Sequence, residues 1–257
     1  LFCPLGDQLF EAARCPRLLS RKGGCVDLVI HIGEVAHIGH MLCAEGVPQV
    51  NQSGWRWTPK GVYVGQEVKA VRETAGLVEM TFMSKFEVQG PDAGAVLDHM
   101  STARVDGESG FITYTQWLNE GGTLEADLTV TKLGEGDFLV VASDTAHRHV
   151  ETMLKRALDG QRGWVTDVTS GLAQINIQGP RSRELLQSIT STDLSNDAFP
   201  FRAAREIDLG FARVLCVRIT YLGELGYELY IPAEQAMHVY EQVVAAGAAH
   251  GLRHTGL

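Results

Sequence analysis

The chain has 257 residues, of which 45% are hydrophobic and 21% are charged, and its formal net charge at pH 7 is −9. This composition provides enough apolar side chain to bury a sizeable core, as one large or two small domains, and it excludes disorder over most of the chain. The negative charge disfavours binding to nucleic acid or to an anionic membrane surface through bulk electrostatics. The longest apolar run, residues 26–32, is short and contains Asp27 and His31, so the sequence predicts no membrane span.

The first 65 residues are rich in Gly, Cys and His and show no regular hydrophobic period. We expect residues 1–65 to form an N-terminal extension, separate from a folded domain over residues 66–257. Arg14 and Arg17 lie among acidic residues, and no apolar block with a small-residue cleavage site follows, which argues against a secretory signal. A location in the cytoplasm or the mitochondrial matrix is therefore expected.

Four of the five cysteines lie in this extension, namely Cys3, Cys15, Cys25 and Cys43. Their spacings match no zinc pattern with paired two-residue gaps, and an odd number of cysteines argues against a disulfide framework. We therefore predict no metal site. The extension also lacks Gly-x-Gly-x-x-Gly, so the sequence gives no support to a dinucleotide-binding fold.

An internal repeat organises the folded domain. Residues 85–97 (KFEVQGPDAGAVL) and residues 174–186 (QINIQGPRSRELL) each predict a strand, a Gln-Gly-Pro turn and a helix, with an offset of 89 residues between Gln89 and Gln178. Glycine suits the turn, and proline suits the first position of a helix, where its missing N–H costs nothing. Two such units predict a pseudo-symmetric α+β domain, and we interpret both turns as structural rather than chemical.

The other elements fit this plan. Helices are predicted at residues 67–73, 145–158 and 234–250, and strands at residues 76–81, 136–142 and 212–219. The apolar stripes of the two longer helices are expected to pack the core, and the last helix is expected to end at Gly251.

Residues 117–133 predict a β-hairpin with its turn at residues 119–123. Side chains alternate along a strand, so Asp127 on the returning strand shares a face with Glu125 and Thr129. The other face carries Leu124, Leu128 and Val130. If the polar face looks into a cleft, Asp127 could orient or deprotonate an amine, whereas facing water it would be one more exposed carboxylate. The residues alone leave both interpretations open.

Residues 221–230 (YLGELGYELY) combine two glycines with aromatic and acidic side chains. Glycine permits close approach of the backbone to a ligand, Tyr221 offers an aromatic face, and Glu228 offers paired acceptors for ring N–H groups. Such a segment can bind a flat polar heterocycle. The alternative is a glycine-kinked strand with solvated glutamates.

Taken together, these motifs resemble the folate-binding domain of the aminomethyltransferase (glycine-cleavage T-protein) family, most closely its sarcosine and dimethylglycine dehydrogenase branch. The resemblance covers residues 71–257. It rests on both Gln-Gly-Pro units, on the hairpin, on residues 221–230, and on the segments RETAGLVEMT (72–81) and DLSNDAFPF (193–201).

The resemblance implies that the domain binds tetrahydrofolate. By it, Asp127 corresponds to the acidic residue beside the reactive nitrogens of the folate. Tyr114 and Tyr221 correspond to aromatic contacts, and Glu228 to the acceptor for the pterin ring. A carboxylate at the place of Asp127 can assist proton movement while a one-carbon unit is captured from an iminium or aminomethyl donor as methylenetetrahydrofolate. Glu224 matches a motif position and is expected to shape the turn.

The family pattern also has parts that this sequence does not show. Members continue past the position of Leu257 with an arginine-bearing helix, so we expect a folate-binding domain that is incomplete at its C-terminus. The dehydrogenase branch carries an upstream flavin domain, so FAD is expected only in a missing upstream domain, and a flavin dehydrogenase domain or subunit is the expected partner. Residues 60–67 (KGVYVGQE) resemble a signature of a related folate-binding family, but Val62 replaces its cysteine, and we interpret that match as a coincidence.

Two alternatives remain within the same fold. A glycine-cleavage aminomethyltransferase takes its carbon from a lipoyl-bound carrier, but residues 125–127 (EAD) differ from the paired aspartates usual there. The second alternative is a non-catalytic regulatory module, like the regulatory subunit of pyruvate dehydrogenase phosphatase. The presence of Asp127 and Glu228 favours an enzyme over such a module.

Overall fold

The computed structural model describes residues 50–52, 55–57 and 62–256. The four N-terminal cysteines and most of the predicted extension lie outside the described residues. The strands are β1 (Val50–Gln52), β2 (Trp55–Trp57), β3 (Ala75–Glu79), β4 (Ser84–Gln89), β5 (Phe111–Leu118), β6 (Leu124–Gly134), β7 (Asp137–Ala142), β8 (Trp164–Asp167), β9 (Leu172–Gln178), β10 (Ala204–Leu209), β11 (Ala212–Val217), β12 (Gly226–Pro232) and β13 (Leu252–His254). The α-helices are α1 (Val62–Glu73), α2 (Ala93–Met100), α3 (His147–Ala157), α4 (Ser182–Gln187) and α5 (Ala236–Gly247).

Two large sheets carry the described domain. One has the strand order β10-β11-β12-β9-β3-β13 and the other the order β5-β6-β7-β4-β8. Each sheet therefore contains a three-strand meander beside the first strand of a βα unit. The strands β3 and β8 are exchanged between the two halves of the repeat. β3, from the first half, pairs with β9 of the second, and β8, from the second half, pairs with β4 of the first. The architecture confirms the predicted pseudo-symmetric α+β fold.

The strand register repeats with the same offset as the sequence. Glu87 lies opposite Leu139 in one sheet, and Asn176 lies opposite Glu228 in the other, so both residues of the second pair are 89 positions beyond those of the first. Positions in the two halves can therefore be compared one by one.

The two Gln-Gly-Pro turns have the same backbone conformation. Gly90 has φ 128° and Gly179 has φ 129°, values that L-residues with a side chain rarely adopt. A Cβ at Gly179 would lie 2.6 Å from the Thr74 carbonyl oxygen, and one at Gly90 would overlap the carbonyl oxygen of Arg162. Glycine is thus required at both turns by conformation and by space.

Three apolar clusters form the core. One packs the six-stranded sheet against α4 and α5, and a second packs the five-stranded sheet against α2 and α3. The third lies between the inner faces of the two sheets, and its buried members are Ile112, Leu139, Val141, Ala204, Val217 and Tyr230. The domain is therefore layered as helices, sheet, sheet and helices.

The outer strands β5 and β10 also touch. The Ile112 N–H donates to the Arg202 carbonyl (2.9 Å), and the Ala204 N–H donates to the Gly110 carbonyl (2.7 Å). Arg202 has φ 72°, and its guanidinium donates to the Ile112 carbonyl (2.7 Å) and the Thr113 hydroxyl (2.6 Å). A conformationally strained arginine thus links the two sheets.

Most predicted elements are confirmed, with differences at their ends. The predicted helix 145–158 begins as a 3₁₀ turn at Asp144–Ala146, and the strand predicted at 212–219 stops at Val217. Gly251 adopts φ 70° after the last helical turn, as expected. Leu124, predicted on the apolar face, is 61% exposed because it lies at the hairpin tip. In the described part of the chain, no helix has the length and apolarity that crossing a bilayer requires.

Candidate functional site

Asp127 and Tyr114 lie side by side on β6 and β5. Asp127 is opposite Gln116 in the register, and the Gln116 amide donates to its carboxylate at 3.4 Å. Hydrogen bonding with the Asp127 carboxylate raises the pKa of the Tyr114 hydroxyl. Both Asp127 and Tyr114 are exposed, Tyr114 to 57%. The structure therefore brings these two predicted site residues together in a position that a ligand can reach.

The face that carries Asp127 is the inner face of the five-stranded sheet. Ala126 and Leu128 belong to the cluster that packs against α2 and α3, so Asp127 between them points the opposite way. Ile112, two residues before Tyr114, belongs to the cluster between the sheets. Asp127 and Tyr114 therefore lie on the inner face, outside the area where the two sheets pack through apolar side chains.

Glu228 is on the inner face of the six-stranded sheet. It alternates with Tyr227 and Leu229, which pack towards α4 and α5, and shares its face with Tyr230. Only 9% of Glu228 is exposed. The carboxylate accepts hydrogen bonds from the Tyr230 hydroxyl (2.6 Å) and the Asn176 amide (3.2 Å). The interpretation of this segment as carrying solvated glutamates is wrong for Glu228.

Burial shifts the pKa of this carboxyl. Desolvation raises the pKa of Glu228, and the hydrogen bonds from Tyr230 and Asn176 and the charge of Lys85 oppose that rise. Lys85 is fully buried on β4, and its ammonium donates to the carbonyls of Thr81 (2.9 Å) and Met83 (2.7 Å). Lys85 belongs to the opposite sheet, so the layer between the sheets contains both a buried carboxyl group and a buried ammonium group.

Tyr221 lies in the loop before β12 and close to Glu228. Its side chain is 51% exposed, and its hydroxyl is 3.9 Å from Met80 Sδ. Desolvation of the hydroxyl, with a smaller contribution from the charge of Glu228, raises the pKa of Tyr221 to about 12. Tyr221 therefore stays neutral at physiological pH and presents an aromatic ring beside the buried acid.

Arg72 on α1 holds the loop that carries Tyr221. Its guanidinium donates to the Leu222 carbonyl (3.0 Å) and to the Glu224 carboxylate (2.7 Å). Gly223 between them has φ 77°. Glu224 thus contributes to the shape of the turn.

The four predicted site residues form two pairs on facing sheets. Tyr114 and Asp127 lie on the five-stranded sheet, and Tyr221 and Glu228 on or beside the six-stranded sheet. No hydrogen bond joins the two pairs within the part of the chain that the structure describes. A surface groove of about 680 Å³ lies elsewhere, against the outer side of α5.

The sequence reasoning missed three polar residues of the layer between the sheets, namely Lys85, Asn176 and Tyr230. A signal for two of them was present. Asn176 lies between two isoleucines of β9, and Lys85 precedes Phe86 in β4, both strands that the repeat had already predicted. A polar residue inside a buried strand requires a hydrogen-bonding partner. Asn176 donates to the Glu228 carboxylate, and Lys85 donates to the Thr81 and Met83 carbonyls.

Metal or thiol chemistry has no visible basis in the described ranges. Among residues 50–52, 55–57 and 62–256, no group of three or more His, Cys, Asp or Glu side chains could hold a metal ion. Cys216 is fully buried, and desolvation raises the pKa of its thiol well above the usual value. It is therefore not placed to act as a nucleophile.

Comparison with known families agrees with this geometry. The sequence pattern of the family described as the GCVT N-terminal domain matches residues 40–257. The chain belongs to this family. The resemblance to aminomethyltransferases noted from the motifs is thereby confirmed, and the match also takes in residues 40–65 of the predicted extension.

Curated relatives of the chain include an oxidase and a dehydrogenase. It is 38% identical over 193 residues to a 4-methylaminobutanoate oxidase (formaldehyde-forming) of Paenarthrobacter nicotinovorans. It is 35% identical over 211 residues to the mitochondrial sarcosine dehydrogenase of Mus musculus. Each match covers 75% of this chain and 23% of the relative, so the chain corresponds to less than a quarter of the length of either protein.

A solved structure shares the fold. The glycine cleavage system aminomethyltransferase T from Bartonella henselae superposes with a TM-score of 0.69 at 23% sequence identity. The superposition covers 85% of this chain and 58% of that one. At this identity the likeness establishes the aminomethyltransferase fold and nothing about the reaction.

Proposed function

We propose that this chain is a tetrahydrofolate-binding domain of a sarcosine or dimethylglycine dehydrogenase-like protein, and that it captures the one-carbon unit released from an oxidised N-methylamine. The observation that carries the proposal is the placement of the two acids. Asp127 and Glu228 come from different halves of the repeat and lie on the inner faces of opposite sheets. A ligand between the sheets would meet both.

Glu228 is suited to the heterocyclic end of the folate. It is buried and already ordered by Tyr230 and Asn176, and each carboxylate oxygen keeps a further acceptor site for a ring N–H group. Tyr221 beside it offers a neutral ring for stacking. A buried, pre-oriented acceptor gives specificity because a ligand without the matching donors leaves it unsatisfied.

Asp127 is suited to the reacting end. Its carboxylate is accessible and hydrogen-bonds with neutral side chains, Gln116 and Tyr114, rather than with a cation. Such a carboxylate can bind a nitrogen that is protonated or electron-poor. It can also accept a proton from that nitrogen or return one to it. Tetrahydrofolate, when bound, supplies the two nitrogens that take up the one-carbon unit as methylenetetrahydrofolate. In this scheme Asp127 orients the folate and handles the proton, and Tyr114 fixes the position of the carboxylate.

The amine oxidation belongs to a flavin-containing partner, as a domain or a subunit, because oxidation of an N-methyl group needs a redox cofactor. We assign FAD to that partner and the folate to this chain. The mitochondrial sarcosine dehydrogenase among the relatives makes the mitochondrial matrix a reasonable setting, with the cytoplasm as the alternative.

The test replaces Asp127 with asparagine. The parent chain and D127N would be mixed with a flavin enzyme that oxidises sarcosine, with sarcosine and with tetrahydrofolate, and the yields of methylenetetrahydrofolate and free formaldehyde would be measured. D127N is expected to bind folate as the parent does but to slow methylenetetrahydrofolate formation, because the amide keeps the shape and loses the proton acceptor. D208N on β10, where Asp208 is an exposed strand aspartate of the other half, is the matched control and should behave as the parent. Equal turnover by D127N would reject the catalytic role.

The same assay separates the alternatives. A glycine-cleavage aminomethyltransferase would form methylenetetrahydrofolate from an aminomethylated lipoyl carrier and not from sarcosine with a flavin partner. A regulatory module would do neither. Glu125, two residues before Asp127, is held by the Asn119 amide (2.8 Å) and by His149 (2.6 Å). It is therefore engaged with the hairpin and α3 and leaves Asp127 as the accessible acid of that run.

A further inference from the structure

The side chain of Gln178, at the end of β9, is buried without hydrogen bonds. It is 0% exposed, and neither its amide nitrogen nor its amide oxygen has a hydrogen-bond partner among the residues that the structure describes. A buried amide without hydrogen bonds lowers the stability of the folded chain, because its nitrogen and oxygen lose their hydrogen bonds to water and form none within the protein. Such a group requires an explanation.

The equivalent glutamine in the first half of the repeat has hydrogen-bond partners for its side-chain amide. Gln89 is the equivalent residue, 89 positions earlier, in the first Gln-Gly-Pro turn. Its amide nitrogen donates to the Asp137 carboxylate at 3.1 Å, and its amide oxygen accepts from the Trp164 indole N–H at 3.3 Å. Asp137 and Trp164 are its cross-strand neighbours on β7 and β8. Both polar atoms of Gln89 are therefore satisfied within the protein.

In the second half both cross-strand neighbours are glycines. Gln178 lies opposite Gly226 on β12 and opposite Gly76 on β3. A Cβ built on Gly226 would overlap the Gln178 amide, so this amide lies directly over the Gly226 backbone. Neither glycine has a side chain that could hydrogen-bond to the Gln178 amide. The amide itself occupies the space above Gly226.

The unsatisfied amide belongs to the inner face that carries Glu228. Gly226 and Glu228 are two residues apart on β12, so they share one face of the strand. Gln178 and Glu228 are therefore diagonal neighbours across the β9 and β12 pair, roughly 7–8 Å apart at the backbone. A planar heterocycle held by Glu228 would lie within reach of both side chains.

We propose that Gln178 is a further ligand-binding residue of this site, and that its amide hydrogen-bonds to an amide-like edge of the heterocycle, one donor and one acceptor. This inference rests on the proposed function, because it takes the pterin ring of the folate as the ligand. The amide nitrogen donates to a ring carbonyl and the amide oxygen accepts from a ring N–H. The amide is sealed from solvent, so the incoming ring must displace part of its cover.

The test compares Gln178→Leu with Gln89→Leu in the same chain. Leucine has a similar volume and no polar atoms. Q178L should be at least as stable as the parent towards urea and should bind 5-formyltetrahydrofolate, an air-stable folate, about 5- to 150-fold more weakly by calorimetry. Q89L should show the opposite pattern, a loss of stability from the broken bonds to Asp137 and Trp164 with unchanged folate affinity.

Each outcome decides a different question. Equal folate affinity of Q178L and the parent overturns the role of Gln178 and leaves the proposed function intact. A loss of stability in Q178L as large as that in Q89L means that the amide has an internal partner in solution, and this also overturns the inference. Absence of folate binding by the parent chain itself refutes the proposed function, and the inference with it.

Discussion

Replacing Glu228 with glutamine perturbs the buried acid while keeping its size. Desolvation raises the pKa of Glu228 above the usual 4.5, so the folded chain binds a proton at a pH where the unfolded chain has already released it. The stability of the parent should therefore fall as the pH rises from about 4.5 through the raised pKa, by up to about 1.4 kcal/mol per pH unit. Glutamine does not titrate, so E228Q should lack this part of the pH dependence.

The contacts of the carboxylate set the other contribution. A glutamine can still accept from the Tyr230 hydroxyl, but its NH₂ group then faces the Asn176 amide, which donates to the carboxylate at 3.2 Å in the parent. That mismatch should cost E228Q about 1–3 kcal/mol at every pH. E228Q is thus expected to be less stable than the parent near pH 4.5, and the difference should shrink as the pH rises through the raised pKa of Glu228.

Urea unfolding at half-unit steps between pH 4.5 and pH 8 measures the difference. E206Q is the matched control, because Glu206 is an exposed strand glutamate that pairs with Arg213 at 3.0 Å on the surface. Its curve should run parallel to that of the parent. If the curve of E228Q is also parallel to the parent, the carboxyl is not desolvated in the folded chain and the reasoning fails. Folate affinity should fall by about 10- to 150-fold in E228Q and in E228A, since charge-assisted hydrogen bonds worth roughly 1.5–3 kcal/mol are lost.

Substitutions at Gly179 and Arg202 test the frame that holds the site. Gly179→Ala combines φ 129° with a Cβ 2.6 Å from the Thr74 carbonyl oxygen, so it should cost about 3 kcal/mol in urea unfolding. Gly122→Ala, at φ 76° in open space, should cost only about 1 kcal/mol, and equal losses would refute the steric argument. Arg202→Ala should lose about 1–3 kcal/mol with its two hydrogen bonds across the sheet edges. Arg202→Gly should be more stable than the alanine variant because it relieves the strain at φ 72°, and the reverse order in thermal melts would show that the strain is negligible.

Local sequence signals were sufficient for much of the fold. The Gln-Gly-Pro repeat predicted the two βα units, and the glycine-rich turn at residues 119–123 predicted the hairpin, where the Asn119 side chain accepts from the Gly121 and Thr123 N–H groups. The face of Asp127 also followed from alternation along one strand. These features depend on residues close in sequence, for which propensity and periodicity are informative.

The pairing of distant strands was not predictable in the same way. The exchange of β3 and β8 between the halves depends on contacts between residues 75 to 102 positions apart, and no local pattern encodes it. The burial of Glu228 was missed for a related reason. β12 lies between a helix layer and a second sheet, so its residues are buried on both faces and the alternation that marks a half-exposed strand is absent.

The duplication explains why one half of the domain carries the buried polar site. Leu139 and Val141 on β7 are the equivalents of Glu228 and Tyr230 on β12, at the same offset of 89 residues, and both pairs face the layer between the sheets. At these two positions the first half places apolar side chains, which contribute packing. The second half places an acid and a hydroxyl there, and these stay satisfied only by bonding to each other and to Asn176. The apolar side chains between the sheets come from both halves and hold the sheets together, so β12 can keep hydrogen-bonding groups that weaken the fold and that the proposed function assigns to a ligand.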